Sequence, residues 1–273
     1  MAAWAERTPS VSGLILIGSR VRFVPDHIEY SDAYSDWDFQ IITSNPQMFA
    51  DREWTQSLVG AELKAYAVRF ARIGAVPKIN MLFVGAEADM VIIPARIGRL
   101  MRLLVALGFH RRPGWTQRRL QDLAEVIRPG WRFLKGGNAW NPLFQHIVAS
   151  VPDPRLTDKG AKQLAEGFVC DYVWCLRKIA RGELRATQRI LYQELMETNL
   201  QLLHELKRRR GERTFTKARR IENITSSAEL ASVSVTAPLQ AVALRDELEK
   251  SAVTCREMMR LLVGDLWRWP DVQ

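Results

Sequence analysis

The sequence predicts an α+β protein: a mixed β-sheet with flanking helices over residues 1–150, then a helical bundle over residues 151–273. Three observations predict it. Short apolar runs punctuated by turn residues fill the first hundred positions. From Ala161 onward the apolar spacing becomes almost purely helical. Between the two lies Val151-Pro152-Asp153-Pro154, a turn-prone stretch that reads as a domain boundary.

In chain order, Leu14–Ile17 is an apolar run expected to form a buried strand, with Gly18-Ser19-Arg20 turning out of it. A second strand begins within Asp36-Trp37-Asp38 and continues through Phe39, Ile41 and Ile42. Between Asn45 and Val76 the spacing of Leu58, Leu63, Tyr66, Ala67 and Phe70 predicts helix. Pro77-Lys78 leads into a strand at Ile79–Val84, Gly85-Ala86-Glu87 turns, and Ala88–Ile93 is another strand. A helix over Arg96–Leu107 is expected to bury Ile97, Leu100, Met101, Leu104 and Leu107, with the arginines outward. Two Pro-Gly clusters mark turns over residues 112–115 and 128–131, and Trp131–Leu134 is a short last strand. Lys135, ahead of Gly136-Gly137, reads as a basic surface turn, or else a loop facing phosphate.

In the second half Thr157 caps a helix whose stripe is Phe168, Tyr172, Cys175, Leu176 and Ile179. A second stripe runs from Ile190 to Leu206, and a last helix from Leu239 to Trp269 carries Val242, Leu248, Cys255, Met258, Met259, Leu262 and Leu266. Residues 207–220 hold a basic block expected to be an exposed loop. Nucleic-acid contact is the other reading, with Phe215 the one aromatic there. Residues 225–237 are expected to form a flexible connection.

The chemistry concentrates near the N-terminus. Residues two apart in a strand point to one face, so Asp36 and Asp38 set two carboxylates side by side. Carboxylates that close repel unless a cation separates them, and hard oxygen donors suit Mg²⁺. Asp89 is a lone carboxylate in an apolar strand, costly to bury unless it meets a cation or solvent. Each piece alone is common; the series of strand, Gly-Ser, D-x-D and a later strand acid is not.

These residues resemble the signature of the nucleotidyltransferase superfamily with the DNA polymerase β-like fold: G-S-R, S-D-W-D-F, and A-D-M-V-I-I-P. Within it they are most similar to the aminoglycoside 6-adenylyltransferase (streptomycin adenylyltransferase) group. The resemblance implies that residues 1–150 are a nucleotidyltransferase domain, with Gly18, Ser19 and Arg20 at the nucleotide phosphates. It also implies Asp36, Asp38 and Asp89 as metal-binding and catalytic acids. The loop from Arg20 to Ser35 is longer than the family's spacing.

Arg177, Arg181, Arg185 and Arg189 fall four apart and share a face if their helix is continuous. They are either a solvated basic face or a wall on which Arg181 and Arg185 meet triphosphate oxygens. Glu183, within R-G-E-L-R, resembles in position a carboxylate that deprotonates the acceptor hydroxyl in related enzymes. An ion pair with an arginine is its other reading.

The expected activity is Mg²⁺-dependent transfer of a nucleoside monophosphate, AMP from ATP, onto a hydroxyl, with release of pyrophosphate. The resemblance implies an aminoglycoside-like acceptor and hence antibiotic resistance. The net charge of +9 instead favours polyanions, keeping RNA or protein acceptors, or a non-catalytic nucleotide-binding or antitoxin-like role, open. His110 and His146 lack metal-ligand spacing and are expected to be structural or surface residues. Cys170, Cys175 and Cys255 are expected to be reduced core thiols. Met90–Phe109 is broken by Arg96, Arg99 and Arg102, and the N-terminus lacks a signal pattern, so no membrane association and a cytoplasmic location are expected.

Overall fold

A computed structural model describes the chain except residues 22–30, 59, 61, 72–74, 113, 213, 215–217, 219 and 272–273. The chain divides into two compact units, Met1–Pro154 and Arg155–Gln273, and is α+β.

The first unit is built on six strands: β1 (Val11–Ile17), β2 (Trp37–Thr43), β3 (Leu63–Phe70), β4 (Pro77–Phe83), β5 (Ala86–Pro94) and β6 (Arg132–Lys135). They form one mixed sheet in the order β3-β4-β5-β2-β1-β6, in which only β2 and β5 run parallel. The central strands are apolar on both faces because both are covered. On one face Ile15, Ile17, Ile42 and Ile93 meet three helices, α2 (Ala95–Ala106), α3 (Trp115–Ile127) and α4 (Gly137–Ser150). On the other, Leu14, Leu16, Phe39, Ile41 and Met90 pack with Trp54, Phe49 and Trp4, the last from the short α1 (Ala2–Glu6).

Several expectations are corrected. The helix expected over residues 45–76 is two single-turn segments, Pro46–Phe49 and Glu53–Ser57, followed by β3. The sequence Leu-Lys-Ala-Tyr-Ala-Val-Arg-Phe satisfies both periods, and hydrogen bonding to β4 decides for strand. Tyr66 fixes the segment by donating to the Phe49 carbonyl at 2.8 Å and accepting from Trp54 Nε1 at 3.1 Å.

Helix α2 buries Gly98 and Val105 while Leu100 and Leu107 stay exposed. The Trp140 ring packs so closely that a Cβ on Gly98 would lie 2.9 Å from it, and this contact sets which face turns inward. The expected last strand is β6, and helices α3 and α4 lie on either side of it in stretches for which only flanking turns were expected. Trp140, Leu143, Phe144 and Ile147 carry a helical stripe that Gly137 and Pro142 disguise. Lys135 is neither a surface turn nor a phosphate loop: its ammonium donates to the Ala5 and Thr8 carbonyls at 2.6 and 3.1 Å, tying the N-terminal segment to β6.

The second unit is helical: α5 (Asp158–Ala180), α6 (Leu184–Ile190), a π turn at Leu191–Leu195, α7 (Met196–Arg209), α8 (Ser227–Val233) and α9 (Ala241–Val263). Phe168, Tyr172, Cys175, Leu195, Leu202, Leu203, Leu248, Cys255 and Met259 form its core. Thr157 caps α5 by accepting from the Gly160 N–H.

The basic block is not simply a loop, since α7 continues through Arg209. Lys207 is buried and paired with Glu212 at 2.7 Å and Glu229 at 3.2 Å. Phe215 lies outside the described residues. The stretch expected to be a flexible connection contains α8, which has a capping box between Ser226 and Glu229. Val242 and Leu266, expected in the core, are exposed. So is Cys170, whereas the Cys175 and Cys255 thiols are sealed in, and burial pushes both up to about 12. Among the described residues no helix is long and apolar enough to cross a membrane.

Candidate active site

The three acids come together because of strand register. β2 and β5 pair in parallel with Asp38 opposite Asp89, so the two side chains share a face, and Asp36, just ahead of β2, brings its carboxylate to the same place. One carboxylate oxygen from each of Asp36, Asp38 and Asp89 lies within 4.8 Å of the others, and all three residues are half-buried. Three hard oxygen donors so grouped approach the roughly 4 Å span of opposite ligands in a Mg²⁺ octahedron.

The turn after β1 forms the adjoining wall. Gly18 has φ +79°, and a Cβ there would fall 2.1 Å from Asp38 Oδ2, so only glycine lets the backbone pass this close to the acid. Ser19 follows in a single 3₁₀ turn, Ser19–Val21, and its hydroxyl oxygen is buried with no hydrogen-bond partner. A buried hydroxyl left in that state is suited to an incoming oxygen ligand. Arg20 turns back: its Nε donates to the Asp36 carbonyl at 3.1 Å, another nitrogen donates to the Ser35 carbonyl, and the guanidinium lies 4.3 Å from the Trp37 ring centroid. It braces the segment entering β2. Most of the intervening long loop, residues 22–30, lies outside the described residues.

Two residues here were not foreseen. Lys78 Nζ stands 2.5 Å from Asp89 Oδ2, and Asn80 Nδ2 donates to Asp89 Oδ1. Asn80 is the register partner of Asp89 on β4, and Lys78 is its diagonal neighbour, so both reach the acid across the sheet. Their signal was alternation: polar Lys78 and Asn80 interleave with buried Ile79 and Met81.

Arg181, Glu183 and Arg185 belong to the second unit. The continuous basic helix does not exist. α5 ends at Ala180, Gly182 turns with φ +73°, and α6 starts at Leu184, so Arg177 and Arg181 do not continue the row of Arg185 and Arg189. The arginine-pair alternative for Glu183 is also corrected, since its carboxylate pairs with Lys178. Arg185 donates to Gln188 Oε1 at 3.2 Å.

No family model and no curated protein matches the chain. Among solved structures, an aminoglycoside 6-adenyltransferase from Bacillus subtilis is similar at 12% identity and TM-score 0.35, covering 98% of this chain and 89% of its own. A nucleotidyltransferase-like protein from Exiguobacterium sibiricum is similar at 10% identity and TM-score 0.33, covering 97% and 74% respectively. The first carries the name of the group that the sequence motifs resemble. TM-scores this low do not define a common fold, and the functional reading has to stand on the geometry of the acids.

Proposed function

We propose that the chain is a Mg²⁺-dependent nucleotidyltransferase that moves AMP from ATP onto a hydroxyl of a small, aminoglycoside-like acceptor and releases pyrophosphate. The observation that carries this reading is the convergence of Asp36, Asp38 and Asp89 beside the Gly18-Ser19 turn. Asp36 and Asp38 would hold the ion. When bound, it would neutralise charge on the attacking and leaving oxygens of an in-line displacement. The Gly18 backbone and the Ser19 hydroxyl would bind phosphate oxygens. Asp89, oriented by Asn80 and Lys78, would either join the metal ligands or accept the acceptor's proton. The net charge of +9 favours an RNA acceptor as the second reading.

Thermal unfolding with ATP and Mg²⁺ tests the site. ATP at about 100 times its Kd should add about 2.7 kcal/mol of stability, and the gain should vanish in Asp36→Asn/Asp38→Asn. Absence of metal-dependent stabilisation by any triphosphate would end the enzyme reading.

A second expectation concerns Lys78. Its ammonium occupies Asp89 where a divalent ion would draw on that acid, so ion and lysine compete. Lys78→Met should bind Mn²⁺ more tightly, by about tenfold or more, because it removes a positive charge bonded to a carboxylate that the ion would share. Its metal-free form should unfold at lower temperature. Titration of the Mn²⁺ electron paramagnetic resonance signal measures the first effect, and an unchanged or weaker affinity would rule competition out.

A further inference from the structure

A cavity of about 470 Å³ lies in the first unit and includes none of the acids. Helices α2 and α4 and the turn Phe109–Arg111 form it, and its polar lining is Arg102, Arg111, His110 and His146. Among the described residues no carboxylate lines it.

His110 is the unusual member. It is 1% exposed, and neither ring nitrogen makes a hydrogen bond of normal geometry. The His146 ring stands edge-on to it, centroids 5.0 Å apart at 83°. Arg102 is held in place by donating to the Ala139 carbonyl at 2.6 Å and stacking 4.4 Å from the Trp140 centroid, while Arg111 is exposed. Burial, then the charges of His146 and Arg111, hold the His110 imidazole below its ordinary range, with the Val105 carbonyl acting the other way. It is therefore neutral at pH 7, with one N–H to donate and one nitrogen to accept.

A buried imidazole whose nitrogens make no well-formed hydrogen bond, the Val105 carbonyl being poorly aligned, costs free energy that a ligand recovers by supplying partners. Two guanidinium groups exclude a metal cation as that ligand, and a purely apolar one would leave the imidazole as it is. An oxyanion answers both conditions, and the volume falls in the usual range for small-molecule sites.

We propose that this cavity binds a small ligand bearing a phosphate or carboxylate group, with Arg102, Arg111 and His146 as charged or polar donors around it and His110 at its buried side. The site is independent of the transfer reaction.

Histidine side-chain ¹H–¹⁵N spectra test it, recorded without Mg²⁺ while inorganic phosphate or acetate is added. Saturable shifts of both His110 and His146 rings are expected with at least one anion. Phosphate alone would assign phosphate monoesters, and acetate alone carboxylates. Because His110 variants risk misfolding, the exposed Arg111→Ala and His146→Asn are used instead. Each should weaken binding about tenfold, the scale of one charge-assisted hydrogen bond. Asp36→Asn/Asp38→Asn should bind the anion as the unaltered chain does, which separates this site from the transfer site. No saturable shift with either anion, or unchanged affinity in both surface variants, would overturn the proposal.

Discussion

Replacing Asp38 with asparagine is expected to lower pyrophosphate release from ATP, in the presence of an aminoglycoside acceptor, by about 10²-fold or more. Asparagine keeps the size and shape of the side chain and every backbone hydrogen bond of β2. Its pairing with Ile17 on β1 and with Asp89 on β5 should therefore survive. What disappears is one negative charge of the three grouped within 4.8 Å. In the proposed reaction that charge meets the cation and the triphosphate. Because the substitution keeps the backbone and the side-chain volume, the variant should still fold and unfold cooperatively. Loss of turnover with retained stability is the signature of a residue whose cost to folding is accepted for function. Full turnover in Asp38→Asn would remove this acid from the mechanism, and a collapse of stability would make it structural.

The second large effect lies outside the site. Gly136→Ala is expected to destabilise the first unit by about 3 kcal/mol or more, lowering its unfolding midpoint by on the order of 10 °C. Gly136 has φ +76°, and an added Cβ would fall 2.1 Å from the Ser12 carbonyl oxygen, a backbone atom of β1 that cannot swing away. The left-handed strain alone costs about 1–2 kcal/mol, and the collision adds the rest. Gly85→Ala separates the two, since Gly85 has φ +74° but nothing lies within 4 Å of the place its new methyl group would take. Scanning calorimetry of both variants reads the difference, and equal losses would show that the approach to Ser12 is harmless.

The legible part of this protein is where one strand's period carries the information. Asp36 and Asp38 share a face by spacing alone, and Leu14–Ile17 declares a buried strand by composition. Asp89 was legible as a lone acid in an apolar strand and, through the motif resemblance, as the third acid; its place opposite Asp38 was not, because nothing in a sequence fixes the register of a parallel ladder. Lys78 and Asn80 were missed for the same reason: they act across the sheet, on a strand whose neighbour had to be known first. The segment Leu63–Phe70 satisfied two periods at once, and tertiary pairing chose between them. Gly182 broke a row of arginines that four-residue spacing had joined, and a left-handed glycine outweighs side-chain periodicity in ending a helix. α4 was hidden by a glycine and a proline that its buried stripe overrides.

The parallel pairing of β2 with β5 has one more consequence. The hairpin of β3 and β4 is inserted in sequence between two strands that touch in space, so the acidic centre is a product of chain closure and not of any local segment. A nascent chain that has not yet aligned β5 against β2 carries Asp36 and Asp38 but no third acid beside them. A slip of one residue in that alignment would turn Asp89 to the opposite face of the sheet. The gathering of three acids at one point is thus a property that only the correctly threaded sheet possesses.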